Sequence, residues 1–94
     1  MFCLHIDLSL KPDAAQPLEQ TFIESFRSAI AAQPGFHRVE LLRPNESQWD
    51  YRLVIVFDSQ PQQQAWVASD LHQKVWPQIE SHILNFSLRH YSPV

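Results

Sequence analysis

From Phe2 to Leu10 the chain alternates without a fault. Phe2, Leu4, Ile6, Leu8 and Leu10 share one side, and Cys3, His5, Asp7 and Ser9 share the other. A period of two makes a β-strand with one apolar face. That face must be buried, so the rest of the chain has to supply partner strands and a covering layer. Lys11-Pro12-Asp13 ends the strand. Asp13 reads as a helix cap, with Gln16 three residues on and Pro17 in the first turn. Leu18, Phe22, Phe26, Ala29 and Ile30 then recur at helical spacing. Gln33-Pro34-Gly35 stops this helix, and Gly35 is the chain's one glycine. It stands where a helix exit needs a conformation other residues resist.

The spacing predicts a second strand from Phe36 to Arg43 and a third from Tyr51 to Phe57. Pro44-Asn45-Glu46-Ser47 between them carries turn chemistry, which makes a hairpin. In the third strand Tyr51, Leu53, Ile55 and Phe57 share a face opposite Arg52, Val54 and Val56. Ser59 with Pro61 and Gln62 is a helix start, and Ser69-Asp70 is a second cap. Leu71, Val75, Trp76, Ile79 and Ile83 continue the helical spacing, with a break or kink expected at Pro77. The last strand runs from about Leu84 to Tyr91.

The order is β-α-β-β-α-β. This is an α+β, ferredoxin-like arrangement, a four-stranded antiparallel sheet with both helices on one face. The other face mixes Cys3, His5 and Asp7 with Arg52, Val54 and Val56. Such a face suits a partner sheet better than water. The expected assembly is a homodimer through its sheet faces, a dimeric α+β barrel. The 94 residues are read as one domain, 1–94.

Composition narrows the function. The formal charge is −3 and no basic run occurs, which argues against nucleic acid as a partner. No apolar stretch reaches the ~20 residues of a membrane span. The N-terminus lacks a basic leader region, and the single cysteine, Cys3, fits a reducing cytoplasm. With one glycine there is no phosphate-cradling loop, so no nucleotide or flavin cofactor is expected. The five histidines and Cys3 show no metal-ligand spacing, so no metal is expected either.

Four stretches carry a resemblance. They are Pro34-Gly35-Phe36, Leu41-Leu42-Arg43-Pro44, Tyr51-Arg52-Leu53-Val54-Ile55-Val56-Phe57-Asp58-Ser59 and Trp66-Val67-Ala68-Ser69-Asp70-Leu71-His72. Together they resemble the antibiotic biosynthesis monooxygenase family of dimeric α+β barrels. The resemblance implies a cofactor-free monooxygenase acting on a small aromatic substrate of the quinol or phenol type. The third strand and its Phe-Asp boundary are also similar to the stress-responsive α/β-barrel proteins. That implies an alternative, a non-enzymatic protein binding a small hydrophobic ligand. The haem-degrading relatives look similar around Trp66. Their asparagine and histidine positions fall here near His5 or Ile6 and on Trp76, which argues against haem degradation.

Two readings attach to each candidate residue. Trp66 is either core packing or a flat wall for an aromatic ligand. His72 follows the Ser69-Asp70 cap near a helix N-terminus, which disfavours a charged imidazole. It is either a half-buried structural histidine or a catalytic base for a phenolic proton. Tyr51 and His5 are candidate orienting groups for a substrate. His5 and Asp7 also suit a structural polar pair, with Arg52 and Arg89 placed to balance Asp7. Trp76 packs beside Pro77 or contributes to the same substrate site.

Overall fold

A computed structural model describes residues 1–46 and 50–94. The elements are β1 (Phe2–Leu10), α1 (Ala15–Thr21), a π-helical turn (Phe22–Phe26), α2 (Arg27–Ala31), β2 (Phe36–Leu42), β3 (Asp50–Phe57), α3 (Gln60–Val67), α4 (Asp70–Glu80) and β4 (Ile83–Tyr91). The strands form one sheet in the order β2-β3-β1-β4, with every pair antiparallel. The β-α-β-β-α-β order along the chain is the ferredoxin-like one read from the sequence, and the structure adds the order of the strands within the sheet. Ser47 of the expected turn lies outside the described residues. No helix among the described residues is long and apolar enough to cross a membrane.

The alternation in β1 becomes burial. Its five apolar residues are buried and the four between them are half-buried. On β3, Tyr51, Leu53, Ile55 and Phe57 are buried on the same side of the sheet. Val54 and Val56 are buried too, although they face the other way. They lie on an interior strand, with His5 and Glu40 flanking Val54 and Cys3 and Arg38 flanking Val56. On the same face Arg52 Nε donates to Asp7 Oδ1 at 2.8 Å, the expected partnership; no such bond joins Arg89 to Asp7 among the described residues.

The first helical rod contains a feature that spacing did not predict. The Arg27 N–H donates to the Phe22 carbonyl five residues back. Leu18, Phe22 and Phe26 recur every fourth residue, which drifts about 40° per step around a 3.6-residue helix. The wider π turn takes up that drift and keeps all three rings and chains in the core.

Three local expectations need correction. Asp13 does not cap the helix. It sits at φ 60, turning the chain, and the cap position falls on Ala14, which has no side-chain oxygen. Short polar residues such as Asp tolerate that left-handed geometry. Pro77 does not break α4, which runs unbroken from Asp70 to Glu80. Proline removes only its own bond to the carbonyl four residues back, and buried Val75 and Ile79 hold the helix to the core on either side. Ile83 belongs to β4 rather than to the helical repeat.

Gly35 exits the first rod at φ 79, as read from the sequence. A Cβ there would also come within 2.4 Å of the Gln62 side chain. That amide is tied to Ser59, whose Oγ donates to it at 2.9 Å, so it does not move freely. Gly35→Ala is expected to destabilise the fold by about 1–2 kcal/mol. Urea unfolding of the two forms, compared at equal slope, measures it.

Candidate functional site

The turn between α3 and α4 rests on one hydroxyl. Ser69 Oγ donates to the Trp66 carbonyl at 2.6 Å and accepts from the His72 amide at 3.2 Å. The Ser69 amide also donates to the Trp66 carbonyl at 3.1 Å. The cap seen in the sequence therefore does two things: it starts α4 and it pins His72 against Trp66. Their ring centroids are 5.0 Å apart at 82°, an edge-to-face contact. One turn further, Trp76 stacks on His72 at 6.1 Å and 17°. Trp76 also meets Phe86 of β4 edge-on at 5.4 Å. Phe26, delivered by the π turn, stands 5.9 Å from Trp66.

These rings roof a cavity of about 210 Å3, floored by Leu4, Ile6 and Ile55 of the sheet. Its lining is largely apolar, with His72 and Gln63 as the side chains that can accept a hydrogen bond and the indoles of Trp66 and Trp76 as donors. Phe86 and Leu88 border it from the edge strand β4. Both are substantially exposed although they stand on the helix side, because the helical layer stops short of the edge strand. Trp66, only 1 % exposed, is both core and wall.

His72 is the one titratable group at the cavity. Its Nδ1 is fully buried and has no hydrogen-bond partner among the described residues. Burial pushes the imidazole below its ordinary value of 6.5, and Glu80 opposes this more weakly. The ring is therefore neutral at pH 7. A neutral imidazole with its proton on Nε2 presents Nδ1 as an acceptor. An unpaired buried acceptor costs about 1–3 kcal/mol, so a donor arriving there is favoured.

The structure brings Trp66, His72 and Trp76 together. It does not bring Tyr51 or His5 to the same cavity. His5 lies on the opposite face of the sheet, its ring 4.7 Å from that of Tyr91. Tyr51 is buried at the start of β3, where its hydroxyl donates to Glu19. Arg43 Nε donates to the same carboxylate at 2.8 Å. Strand alternation puts Tyr51 on the helix side but says nothing about which end of the cavity it reaches. Sequence reasoning missed Gln63, Phe86 and Leu88. Gln63 was legible in principle, since it precedes Trp66 by three residues on one helix face.

Arg43 and Tyr51 together hold the Glu19 carboxyl down at about 2, from an ordinary 4.5. A lowered folded value means that this contribution to stability is full above about 4.5. It is lost as pH falls through about 2. Tyr51→Phe is expected to cost about 1 kcal/mol and to move the Glu19 titration upward, as followed by carboxyl NMR shifts. Ligand binding in the distant cavity should not change.

Among the described residues no three His, Cys, Asp or Glu side chains are grouped to hold a metal ion. The sequence model of the family described as antibiotic biosynthesis monooxygenase matches residues 1–77. Comparison with curated proteins finds no match. Solved structures superpose closely. One from Bordetella bronchiseptica that carries the family's name is 18% identical, with 99% of this chain and 97% of that one covered and a TM-score of 0.87. One from Nitrosomonas europaea, named likewise, is 13% identical with 100% and 99% covered and a TM-score of 0.85. SnoaB, a cofactor-independent oxygenase from Streptomyces nogalater, is 16% identical with 99% and 93% covered and a TM-score of 0.84. At these identities the likeness establishes the fold.

Proposed function

The chain belongs to the antibiotic biosynthesis monooxygenase family, and on that premise we propose that it oxygenates a small aromatic quinol or phenol without metal or flavin. The observation that carries this reading is the buried, unpartnered Nδ1 of His72 beside an apolar cavity walled by Trp66 and Trp76. A flat ring would lie among the aromatic walls, and its hydroxyl would donate to Nδ1 once a small turn of the His72 ring exposes that buried atom to the cavity. As the reaction proceeds, the hydroxyl proton passes to Nδ1 and leaves an electron-rich oxyanion, which gives its electrons to O2. For a quinol the balance is quinol plus O2 to hydroxyquinone plus water, so the substrate is its own reductant. The cofactor-independent oxygenase of similar fold supports this class of chemistry. Tyr51 and His5 have no part in this reading of the cavity.

Oxygen uptake with a panel of reduced quinols and polyphenols tests it. Uptake above the spontaneous rate, abolished in His72→Phe, is the expected result. Uptake equal to the protein-free rate across the panel would sink the oxygenase reading. The largely apolar lining favours one alternative, a barrel that holds a small hydrophobic ligand without turning it over. Binding without uptake would support that.

We also infer that a second copy of the chain covers the outer face of the sheet. Leu42 and Tyr91 stand exposed there among charged neighbours. Light scattering at micromolar concentration should give twice the mass of one chain. A monomer would contradict it.

A further inference from the structure

Residues 62 to 64 are three successive glutamines with three different fates. Gln62 is engaged by Ser59 and Gln64 is exposed, but Gln63 is 8% exposed and lines the cavity. Among the described residues it is the polar residue that is buried. Its backbone N–H donates to the Ser59 carbonyl in the ordinary helical way, while its side-chain amide is not among the buried unpartnered atoms and so keeps contact with solvent at the cavity. Packing alone would be served better at that position by leucine or methionine. A primary amide offers two donors and an acceptor, so it meets a hydroxyl or a carbonyl equally well.

We infer that the cavity selects one- or two-ring ligands bearing two oxygen functions, one met by His72 and the other by the side-chain amide of Gln63. This rests on the cavity being the ligand site. The scale of the ring system follows from volume, although the cavity opens to solvent and larger substituents can extend from its mouth. A cavity of about 150 Å3 accepts benzene, so about 210 Å3 leaves room for a substituted ring or a small fused pair. The two-oxygen preference follows from His72 and Gln63 being the lining side chains able to accept a hydrogen bond from a hydroxyl; the indoles of Trp66 and Trp76 can only donate. The Gln63 amide keeps solvent contact at the cavity; a ligand with one hydroxyl satisfies His72 but displaces that solvent without replacing its bond, which disfavours it relative to a diphenol. Gln63 is then a specificity-determining residue, and His72 is the group that acts on the substrate.

The test is equilibrium binding to the full chain under argon, read by the fluorescence of the cavity tryptophans. The probes are anisole, phenol, catechol, resorcinol and hydroquinone, against wild type and Gln63→Met. One of the three diphenols should bind wild type roughly tenfold tighter than phenol, the scale of one hydrogen bond. Gln63→Met should erase that preference, and because it removes the amide that phenol leaves without a partner, phenol should bind the variant more tightly than it binds wild type. A merely structural role for Gln63 would weaken both ligands alike, and that result overturns the inference. So does a wild type that binds no diphenol more tightly than phenol. Should Gln63→Met fail to fold, the side-chain amide resonances of Gln63 in wild type decide. They should shift with the preferred diphenol and not with phenol, and equal shifts overturn the inference. If no ring compound binds at all, the ligand-site reading itself falls; if rings bind regardless of the second oxygen, only the role of Gln63 falls.

Discussion

Trp66→Ala should destabilise the protein by about 3–5 kcal/mol, the usual range for deleting a large buried aromatic. The side chain is 1% exposed and contacts Phe26 and His72 by their ring edges. Removing it merges its own volume with a cavity that already exists, so the neighbours have little to collapse onto. A chain of this length is stable by about 5–14 kcal/mol on a per-residue scale, so the loss takes a large part of the total. Chemical denaturation with an unchanged slope is the measurement. A loss below about 1 kcal/mol would show that the ring is not a structural part of the core. Trp66→Phe keeps a flat wall and most of the burial, and should cost less than half as much. Comparing the two separates the loss of the fold from the loss of the wall.

His72→Phe should behave in the opposite way. It keeps an aromatic ring between Trp66 and Trp76 and removes the orphaned Nδ1. Replacing an unsatisfied buried polar group with an apolar one is close to neutral or stabilising. Oxygen uptake, by contrast, should fall by about 10²–10⁴, the usual contribution of a positioned base. Lost activity together with unchanged or raised thermal stability is the signature of a functional group retained against packing. Equal losses of both would make His72 structural.

The same residue sets two pH dependences. Burial holds the folded imidazole below 6.5, so the unfolded chain takes up a proton first as pH falls. Stability from keeping His72 neutral is therefore full above about 6.5. It is lost as pH drops through the lower folded value, and His72→Phe should flatten that limb. Enzymatic uptake, corrected for the spontaneous rate, should rise through a midpoint below 6.5 and then stay level towards pH 8.

Much of the fold could be read one segment at a time. The alternation in β1, the four-residue repeat of the first rod, Gly35 at the helix exit and the caps at Ser59 and Ser69 are all local signals, written by backbone geometry over a few residues. They were enough for the element order and hence for the ferredoxin-like sheet. Where neighbours along the chain compete, the local signal was less reliable. Asp13 had equal chemistry for a cap and for a left-handed turn, and Pro77 looked like a break until the core on either side of it outweighed one lost bond.

The site divides along the same line. The approach of His72 to Trp66 was implicit in Ser69, because a single serine between them ties both backbones. Tyr51 and His5 were plausible by residue type, yet the structure puts one beside Glu19 and the other behind the sheet. Gln63 looked like one glutamine among three. What only the tertiary structure decided is the cavity itself, bounded by Leu4, Phe26, Trp76 and Phe86 from four distant segments. Periodicity specifies which side of each element is buried. An unfilled space is set by how those sides fail to meet, and that depends on the packing of residues far apart in the chain.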